Sequence, residues 1–437
     1  MSRLIAVFAL MLGVVLTGLS APAAAVTVER VVSPGGIEAW LVRDHSNPIL
    51  AMELSFRGGA SLDPDDKSGL AMMTAALLDE GAGPYESQAF QRMLEDRVIG
   101  LSFDAGRDSF RGHLKTLTEH RDTAFDLFRL ALTQPRFDAP AVERIRGQIV
   151  AGLMRESESP EVTASKAWFQ AVFAGHPYAR SPRGEIASIK AVRVADLRGE
   201  VRRLLARDRL TIGVVGDIDP PELGRLLDAT FGGLPATSPP LAVPEIRPGA
   251  AGLVRMIERD ISQTVATFGL AGIKRDDPDW YAATVMNHIL GGGGFASRLT
   301  EQVREKRGLA YSVWTGLVPL DHAGVILGGV ATETSRFDES VALIREEFRK
   351  LRDEGPSEAE LADAKTYLNG SFPLQLDSTV AIAQVLVQLQ NDRLGPDFLD
   401  RRPALIAAVS ADDIRRVAAR LLDPAALTLV SVGRVTK

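Results

Sequence analysis

The sequence has 437 residues, a formal net charge of −6 and charged residues at 24% of its positions. Positive and negative charges are nearly balanced and scattered, which excludes the strongly basic surfaces typical of proteins that bind nucleic acids or anionic membranes. The sequence contains no cysteine, which excludes disulfides, thiolate metal sites and lipid attachment through a cysteine. The length is enough for roughly two to four domains with ordinary apolar cores.

The first 25 residues have the order of features found in a secretory signal. Arg3 supplies a positive charge, an apolar run extends from Leu4 to Leu19, and small residues follow up to Ala25. The run is shorter than the roughly 18 apolar residues that a membrane-spanning helix needs. We therefore predict that residues 1–25 are a signal peptide cleaved near Ala25, and that the mature chain is periplasmic and not inserted in a membrane.

An internal repeat indicates that the chain is built from two copies of one unit. Residues 191–216 align without gaps on residues 408–433, and 11 of the 26 positions are identical. Between these segments, a stretch rich in Pro, Gly and Ala predicts an extended linker. We therefore predict an N-terminal half at 26–232, a linker at 233–251 and a C-terminal half at 252–437. Strands and helices are predicted in blocks, which is typical of an α+β fold with largely antiparallel sheets.

Helix and strand signals place the main elements of the two halves. In the first half we predict strands at 26–42, 49–56 and 210–215, and helices at 69–81, 141–156 and 192–206. In the second half we predict strands at 252–258, 263–270, 309–315 and 323–332, and helices at 281–290, 297–306, 337–354 and around 382–391.

The stretch from Leu290 to Thr315 carries the residues best suited to chemistry. Gly291, Gly292, Gly293 and Gly294 connect two predicted helices, and a loop without side chains lets another backbone come close. Arg304 lies at the end of the second helix and Tyr311 on the strand that follows, so the two side chains can face one pocket. They can donate hydrogen bonds to a peptide carbonyl or an oxyanion. The alternative is a glycine hinge with a surface Arg and a half-buried Tyr.

This stretch resembles the carboxy-terminal half of the pitrilysin/insulinase family of zinc peptidases. Members of that family carry an Arg and a Tyr seven residues apart in a pattern of the form SRL…GLAYSV, and Arg304 and Tyr311 match them. The motifs GHPY and NGSFPLQLDS extend the resemblance over the mature chain. The resemblance implies two halves, each made of two similar α/β-sandwich domains, that close like a clamshell around an extended peptide.

The zinc site that the family would place in the first half is degenerate in this sequence. Active members bind zinc through an HxxEH motif and a distant Glu, and these four positions fall on Met72, Ala75, Ala76 and Gly152. None of them is a suitable zinc ligand or a general base, because a lone thioether binds zinc poorly. None of the six histidines pairs with another at the i+3 or i+4 spacing of a helical metal site. We therefore expect no metal or other cofactor in this chain.

The resemblance implies two functions that the sequence does not separate. In the first, the chain is the non-catalytic subunit of a periplasmic zinc peptidase heterodimer. Arg304, Tyr311 and the glycine-rich loop would then bind peptides or unfolded proteins for a homologous partner, which carries HxxEH and the zinc. In the second, the chain is a structural or peptide-binding scaffold without a role in proteolysis.

Overall fold

A computed structural model describes residues 27–240 and 242–434, so the predicted signal peptide lies outside the described residues. The strands are β1 (Glu29–Val32), β2 (Glu38–Arg43), β3 (Ile49–Arg57), β4 (Gly81–Ala82), β5 (Tyr85–Glu86), β6 (Gly100–Ala105), β7 (Ser109–Leu117), β8 (Leu210–Gly216), β9 (Val254–Glu258), β10 (Gln263–Ala271), β11 (Ala310–Pro319), β12 (Gly324–Glu333) and β13 (Thr428–Gly433). The α-helices are α1 (Leu70–Ala75), α2 (Ser87–Glu95), α3 (Arg121–Thr133), α4 (Ala139–Glu158), α5 (Pro160–Val172), α6 (Ile186–Ala191), α7 (Val194–Leu204), α8 (Pro220–Phe231), α9 (Trp280–Asn287), α10 (Phe337–Glu354), α11 (Glu358–Gly370), α12 (Thr379–Asn391), α13 (Phe398–Ala407) and α14 (Ala411–Leu421).

Each half of the chain is organised around one large sheet. The first sheet has the order β1-β2-β8-β3-β7-β6, and the second has the order β11-β12-β10-β13-β9. Within each large sheet one neighbouring pair is parallel, β2 with β8 and β13 with β9, and the other pairs are antiparallel. The predicted α+β class with largely antiparallel sheets is confirmed. The expectation of two similar domains within each half is corrected to one sheet-centred unit per half.

The repeated segments occupy equivalent places in the two sheets. α7 followed by β8 corresponds to α14 followed by β13. β8 lies between a parallel neighbour, β2, and an antiparallel neighbour, β3. β13 likewise lies between the parallel β9 and the antiparallel β10. The shared residues of the repeat therefore specify the same central strand and the same supporting helix in each half.

The first half contributes one helix to the sheet of the second half. α5 packs on β10 and β13, where Trp168 is 0% exposed and its Nε1 donates a hydrogen bond to the carbonyl oxygen of Thr428 at 3.2 Å. Gly269 of β10 makes this close approach possible, because a Cβ there would lie 2.6 Å from the indole ring. The helix thus belongs by sequence to one half and by packing to the other.

The second half contributes a helix to the first sheet in return. α12 packs on β8 and β3, and a Cβ at Gly213 of β8 would lie 2.6 Å from the carbonyl oxygen of Ala383. The side-chain amide of Gln390 donates to the carbonyl oxygen of Ile212 at 2.9 Å. Each exchanged helix forms a separate apolar cluster with the sheet it covers. The two halves are therefore joined by two buried interfaces in addition to the linker.

Three further observations concern the linker and individual helices. The described linker residues, 233–240 and 242–251, form no helix or strand. Over the described part of the chain, no single helix is long and apolar enough to cross a membrane, although the bent pair Glu358–Leu376 and Thr379–Asn391 meets that criterion by length and composition. The helix predicted at 69–81 ends at Ala75, because the hydrogen bonds of Leu77 and Leu78 tighten to the i−3 spacing.

Candidate functional site

The glycine-rich loop is packed against the chain's own strand β11. α9 continues into a π-helical turn, His288–Gly292, and the side chain of Asn287 donates to the carbonyl oxygen of Thr315 at 3.3 Å. A Cβ at Gly291 would lie 2.8 Å from the backbone nitrogen of Thr315, and a Cβ at Gly292 would lie 2.5 Å from the Asn287 amide. These two glycines therefore have a packing role, and substrate binding by Gly291 to Gly294 stays a prediction.

Arg304 is held at the end of a second π-helical segment, Thr300–Glu305. Three residues beyond this segment lies Gly308, which has a φ of +58° and whose N–H donates to the Arg304 carbonyl oxygen at 2.8 Å. The N–H of Leu309 donates to the carbonyl oxygen of Val303 at 2.9 Å. Left-handed backbone is easily adopted by glycine. Gly308 therefore fixes the path from the helix that carries Arg304 into β11.

Tyr311 points outward because it lies at a bulge in β11. Ala310 pairs with Thr332 and Ser312 with Ala331, so Tyr311 has no partner of its own in the ladder. An extra residue of this kind redirects a side chain relative to the regular alternation of a strand. Tyr311 is 79% exposed, so the half-buried position considered for it is wrong.

The structure brings Arg304 and Tyr311 together and adds a third residue. The Arg304 guanidinium carbon lies 5.6 Å from the centre of the Tyr311 ring and 4.7 Å from the centre of the Phe295 ring. Phe295 is 68% exposed. A guanidinium that stacks on aromatic rings keeps its N–H groups free to bind an acceptor. These three residues, which we call the Arg304 cluster, form an exposed donor site with aromatic walls.

Three positions of the degenerate zinc site, Met72, Ala75 and Ala76, lie on α1 or directly after it, and Gly152 lies on α4, which contacts α1. Ala75 is 1% exposed and packs in the core of the first half, and Met72 and Ala76 pack against the same core. The Arg183 side chain lies next to Gly152: a Cβ at this position would be 3.6 Å from Nη2 of Arg183. Zinc does not fit these residues, since they offer no ligand set and a guanidinium would repel a divalent cation.

Arg183 is fixed beside Gly152 by a carboxylate on the same helix. Its Nε lies 2.9 Å from Oε1 of Glu156, and Nζ of Lys166 lies 3.9 Å from the other oxygen of Glu156. The degenerate site therefore carries a network of ionic side chains. Over the described residues, no group of three or more His, Cys, Asp or Glu side chains could hold a metal ion.

His113 has its ring nitrogens bound by carboxylates on the first sheet. Nε2 lies 2.8 Å from Asp104, and Nδ1 is hydrogen bonded to the buried Glu53. The hydrogen bond with Asp104, followed by that with Glu53, raises the pKa of His113 to about 9. The side chain is thus a charged structural group.

A family model described as the peptidase M16 inactive domain matches residues 191–368. The crystal structure of a peptidase M16 inactive domain from Pseudomonas fluorescens is 27% identical, covers 94% of this chain and 98% of its own, and superposes with a TM-score of 0.88. The chain is therefore similar in sequence and fold to the peptidase M16 family. This is the pitrilysin/insulinase family that the sequence resembles, and the degenerate zinc positions agree with the description of an inactive domain.

Two M16 relatives extend the comparison to nearly the whole chain. The non-peptidase homolog YmxG of Helicobacter pylori is 29% identical over 333 residues, which are 76% of this chain and 77% of that protein. The mitochondrial-processing peptidase subunit beta of Lentinula edodes is 23% identical over 395 residues, which are 86% of this chain and 84% of that protein. One relative is thus named as a non-peptidase and the other as a subunit of a peptidase.

Sequence reasoning missed Phe295 of the Arg304 cluster and Arg183 beside the degenerate zinc positions. Phe295 directly follows the four glycines. A single aromatic residue in a loop of small residues is a candidate for binding, and this signal could have identified it. Arg183 follows GHPY by five residues, but the sequence contains no sign that this loop lies beside Gly152. Only the packing of α4 and the loop before α6 brings the two together.

Proposed function

We propose that this chain is the non-catalytic subunit of a periplasmic zinc peptidase heterodimer. Its partner is a homologue that carries HxxEH, the distant Glu and the zinc, and the substrate is a peptide or an unfolded protein. The Arg304 cluster contacts the substrate backbone in the partner's active site. The periplasmic location rests on residues 1–25 alone.

The observation that carries the proposal is the exposure of the Arg304 cluster in a chain that lacks the zinc ligands. Two exposed aromatic rings are costly to leave in water without a function, and such patches mark interaction sites. The Arg304 guanidinium beside them is only loosely paired, with its Nε 3.6 Å from Glu305. The cluster has no general base and no metal, so it can bind or polarise a carbonyl but cannot activate water. The cluster contributes to hydrolysis only if another protein supplies the zinc ion and the general base.

The exchanged helices also favour a partner. α5 and α12 hold the two sheets together through buried side chains, so opening a clamshell within this chain would expose both apolar clusters. A chamber for an extended peptide forms more cheaply between this chain and a second one. The subunit status in the name of the mitochondrial-processing relative supports the same arrangement.

Reconstitution tests this function. The purified chain is used to capture an HxxEH homologue from a periplasmic extract of the source organism. The two proteins, together and separately, are then assayed on a quenched fluorescent unfolded peptide. We expect a stable complex that cleaves the peptide at least about tenfold faster than the homologue alone. A homologue that is equally active with and without this chain contradicts the subunit role.

The second candidate is a scaffold without a role in proteolysis, and the stacking of Arg304 on Phe295 and Tyr311 is the observation that favours it. A purely structural cluster would stabilise the π-helical segment through cation–π contact. In that case Tyr311→Phe, which keeps the ring, would leave every activity of the complex unchanged.

A further inference from the structure

A second site lies between the two halves, in a cleft of about 630 Å³. One wall is α5 with the loop that follows it, and the other is the face of the second sheet, including Trp314 of β11 and Leu327 of β12. Arg107, in the turn between β6 and β7, also lines the cleft. The volume is in the range of pockets that bind small ligands or short peptide segments, which are mostly apolar with a few placed polar groups.

Among the described residues, Arg107 is the cation of this cleft that forms no ion pair. The other two cations of the lining, Lys166 and Arg183, both bind Glu156. Glu161, the second acid of the lining, accepts a hydrogen bond from Ser159. Within the described part of the chain the Arg107 guanidinium forms no ion pair, and its Nε is buried without a hydrogen-bond partner.

The position of Arg107 is fixed rather than adjustable. Its guanidinium carbon lies 4.1 Å from the centre of the Phe169 ring, and its carbonyl oxygen accepts a hydrogen bond from the N–H of Ser61 at 2.9 Å. The next residue, Asp108, accepts hydrogen bonds from the Tyr178 hydroxyl at 2.8 Å and the Asp321 N–H at 3.1 Å. The turn is thus held on both sides, and the guanidinium cannot move far to find a partner.

An unpaired, partly buried guanidinium is costly, which indicates a ligand that is absent from the isolated chain. Burial lowers the pKa of Arg107 to about 10, against the smaller raising effect of Asp108. A carboxylate would satisfy the free N–H groups and neutralise the charge. The adjoining apolar side chains, including Trp314 at 46% exposure and Phe169, suit an apolar segment next to that carboxylate.

We propose that the cleft binds an apolar peptide segment through a carboxylate held by Arg107, with Trp314 packed against the neighbouring side chain. The carboxylate is either the carboxy terminus of the peptide or an acidic side chain within it. This site is separate from the Arg304 cluster and does not depend on the heterodimer. It gives this chain a peptide-binding activity of its own.

Three blocked dipeptide or tripeptide probes test the proposal on the full chain. They are acetyl-leucyl-phenylalanine with a free carboxylate, the same peptide as its amide, and acetyl-leucyl-glutamyl-phenylalanine amide. Binding is measured by calorimetry and by quenching of tryptophan fluorescence. We expect at least one acidic probe to bind about 10- to 100-fold more tightly than the amide, the range that a charge-assisted hydrogen bond gives. The two acidic probes distinguish a terminal from a side-chain carboxylate.

Two variants separate this site from a general effect of positive charge. Arg107→Met keeps the length of the side chain and its packing on Phe169, and it should remove the preference for the acidic probes. Lys166→Gln removes one charge from the same cleft at a paired position, and it should retain the preference within about threefold. In Trp314→Phe the fluorescence quenching should disappear, and calorimetry should show weaker binding that keeps the preference for the acidic probes.

The proposal is overturned if the unmodified chain binds acid and amide equally, or if it shows no saturable binding up to millimolar probe. It is also overturned if Arg107→Met keeps the preference. The affinities of the acidic and amide probes are compared on the unmodified chain, so this measurement tests the proposal even if Arg107→Met does not fold.

Discussion

Replacing Trp168 by alanine tests whether the exchanged helix α5 holds the two halves together. Trp168 is fully buried against the second sheet and donates a hydrogen bond to the Thr428 carbonyl oxygen. Large aromatic to alanine changes in a core cost about 3–5 kcal/mol, and the lost hydrogen bond adds about 1 kcal/mol. We therefore expect the free energy of unfolding to fall by about 4–6 kcal/mol, a large part of the stability of an ordinary domain.

Urea unfolding followed by far-UV circular dichroism measures this loss, and Trp314→Ala is the matched control. Trp314 lies on the same second sheet but is about half exposed, so we expect its removal to cost less than about 1 kcal/mol. If Trp168→Ala proves too unstable to purify, Trp168→Phe should still lose about 1–2 kcal/mol. Equal losses for Trp168→Ala and Trp314→Ala would refute the conclusion that α5 is a buried link between the halves.

Three further predictions concern the site and the first sheet. In the reconstituted complex, Tyr311→Phe should lower kcat/KM by about 100-fold, the typical loss for one oxyanion donor. Arg304→Lys should also lower kcat/KM, because the planar guanidinium with its paired donors is lost. Unchanged rates at unchanged complex affinity would favour the scaffold function. Mass spectrometry of metals should find no stoichiometric zinc in the purified chain, and one tightly held zinc per chain would contradict the degenerate site. The double variant Met72→His/Ala76→His should still show no peptidase activity, because the general base and the third ligand remain missing. His113 has a folded pKa of about 9, above its unfolded value of about 6.5. Its protonated side chain therefore stabilises the fold by at most about 3 kcal/mol, fully below pH 6.5, and this contribution is lost as the pH rises through 9. The free energy of unfolding of His113→Gln should lack this decline, and parallel pH curves for the two proteins would contradict the prediction.

Local signals in the sequence were enough to place most elements. The helix predicted at 337–354 is observed with the same bounds, and Ser357 caps α11 with Glu360 in a capping box, as its position before a helical pattern indicates. Gly308 ends the helix that carries Arg304. In each case the information lies within a few residues of the boundary, so no tertiary contact is needed to interpret it.

The features that the sequence did not reveal depend on contacts between distant residues. The apolar faces of α5 and α12 indicate burial, but they are equally compatible with either sheet, so the exchange was not predictable. The bulge at Tyr311 depends on the register of β11 against β12, which one strand does not contain. The charge network at Gly152 depends on Arg183, which reaches it from a separate loop. Periodicity reports how much of a face is buried and leaves open what covers it.

The helix exchange also dictates when the protein can finish folding. The amide of Gln390 bonds a carbonyl 178 residues earlier in the chain, and the indole of Trp168 bonds one 260 residues later. A chain emerging from the ribosome or from an export channel therefore presents the first sheet with one face uncovered until the last quarter of the sequence arrives. Contacts of such long range fold slowly and leave apolar surface open to aggregation in the meantime. Each half expressed alone would expose the apolar face of its exchanged helix and one uncovered face of its sheet. The two halves expressed together should associate by fragment complementation, because each supplies the helix that covers the other's sheet.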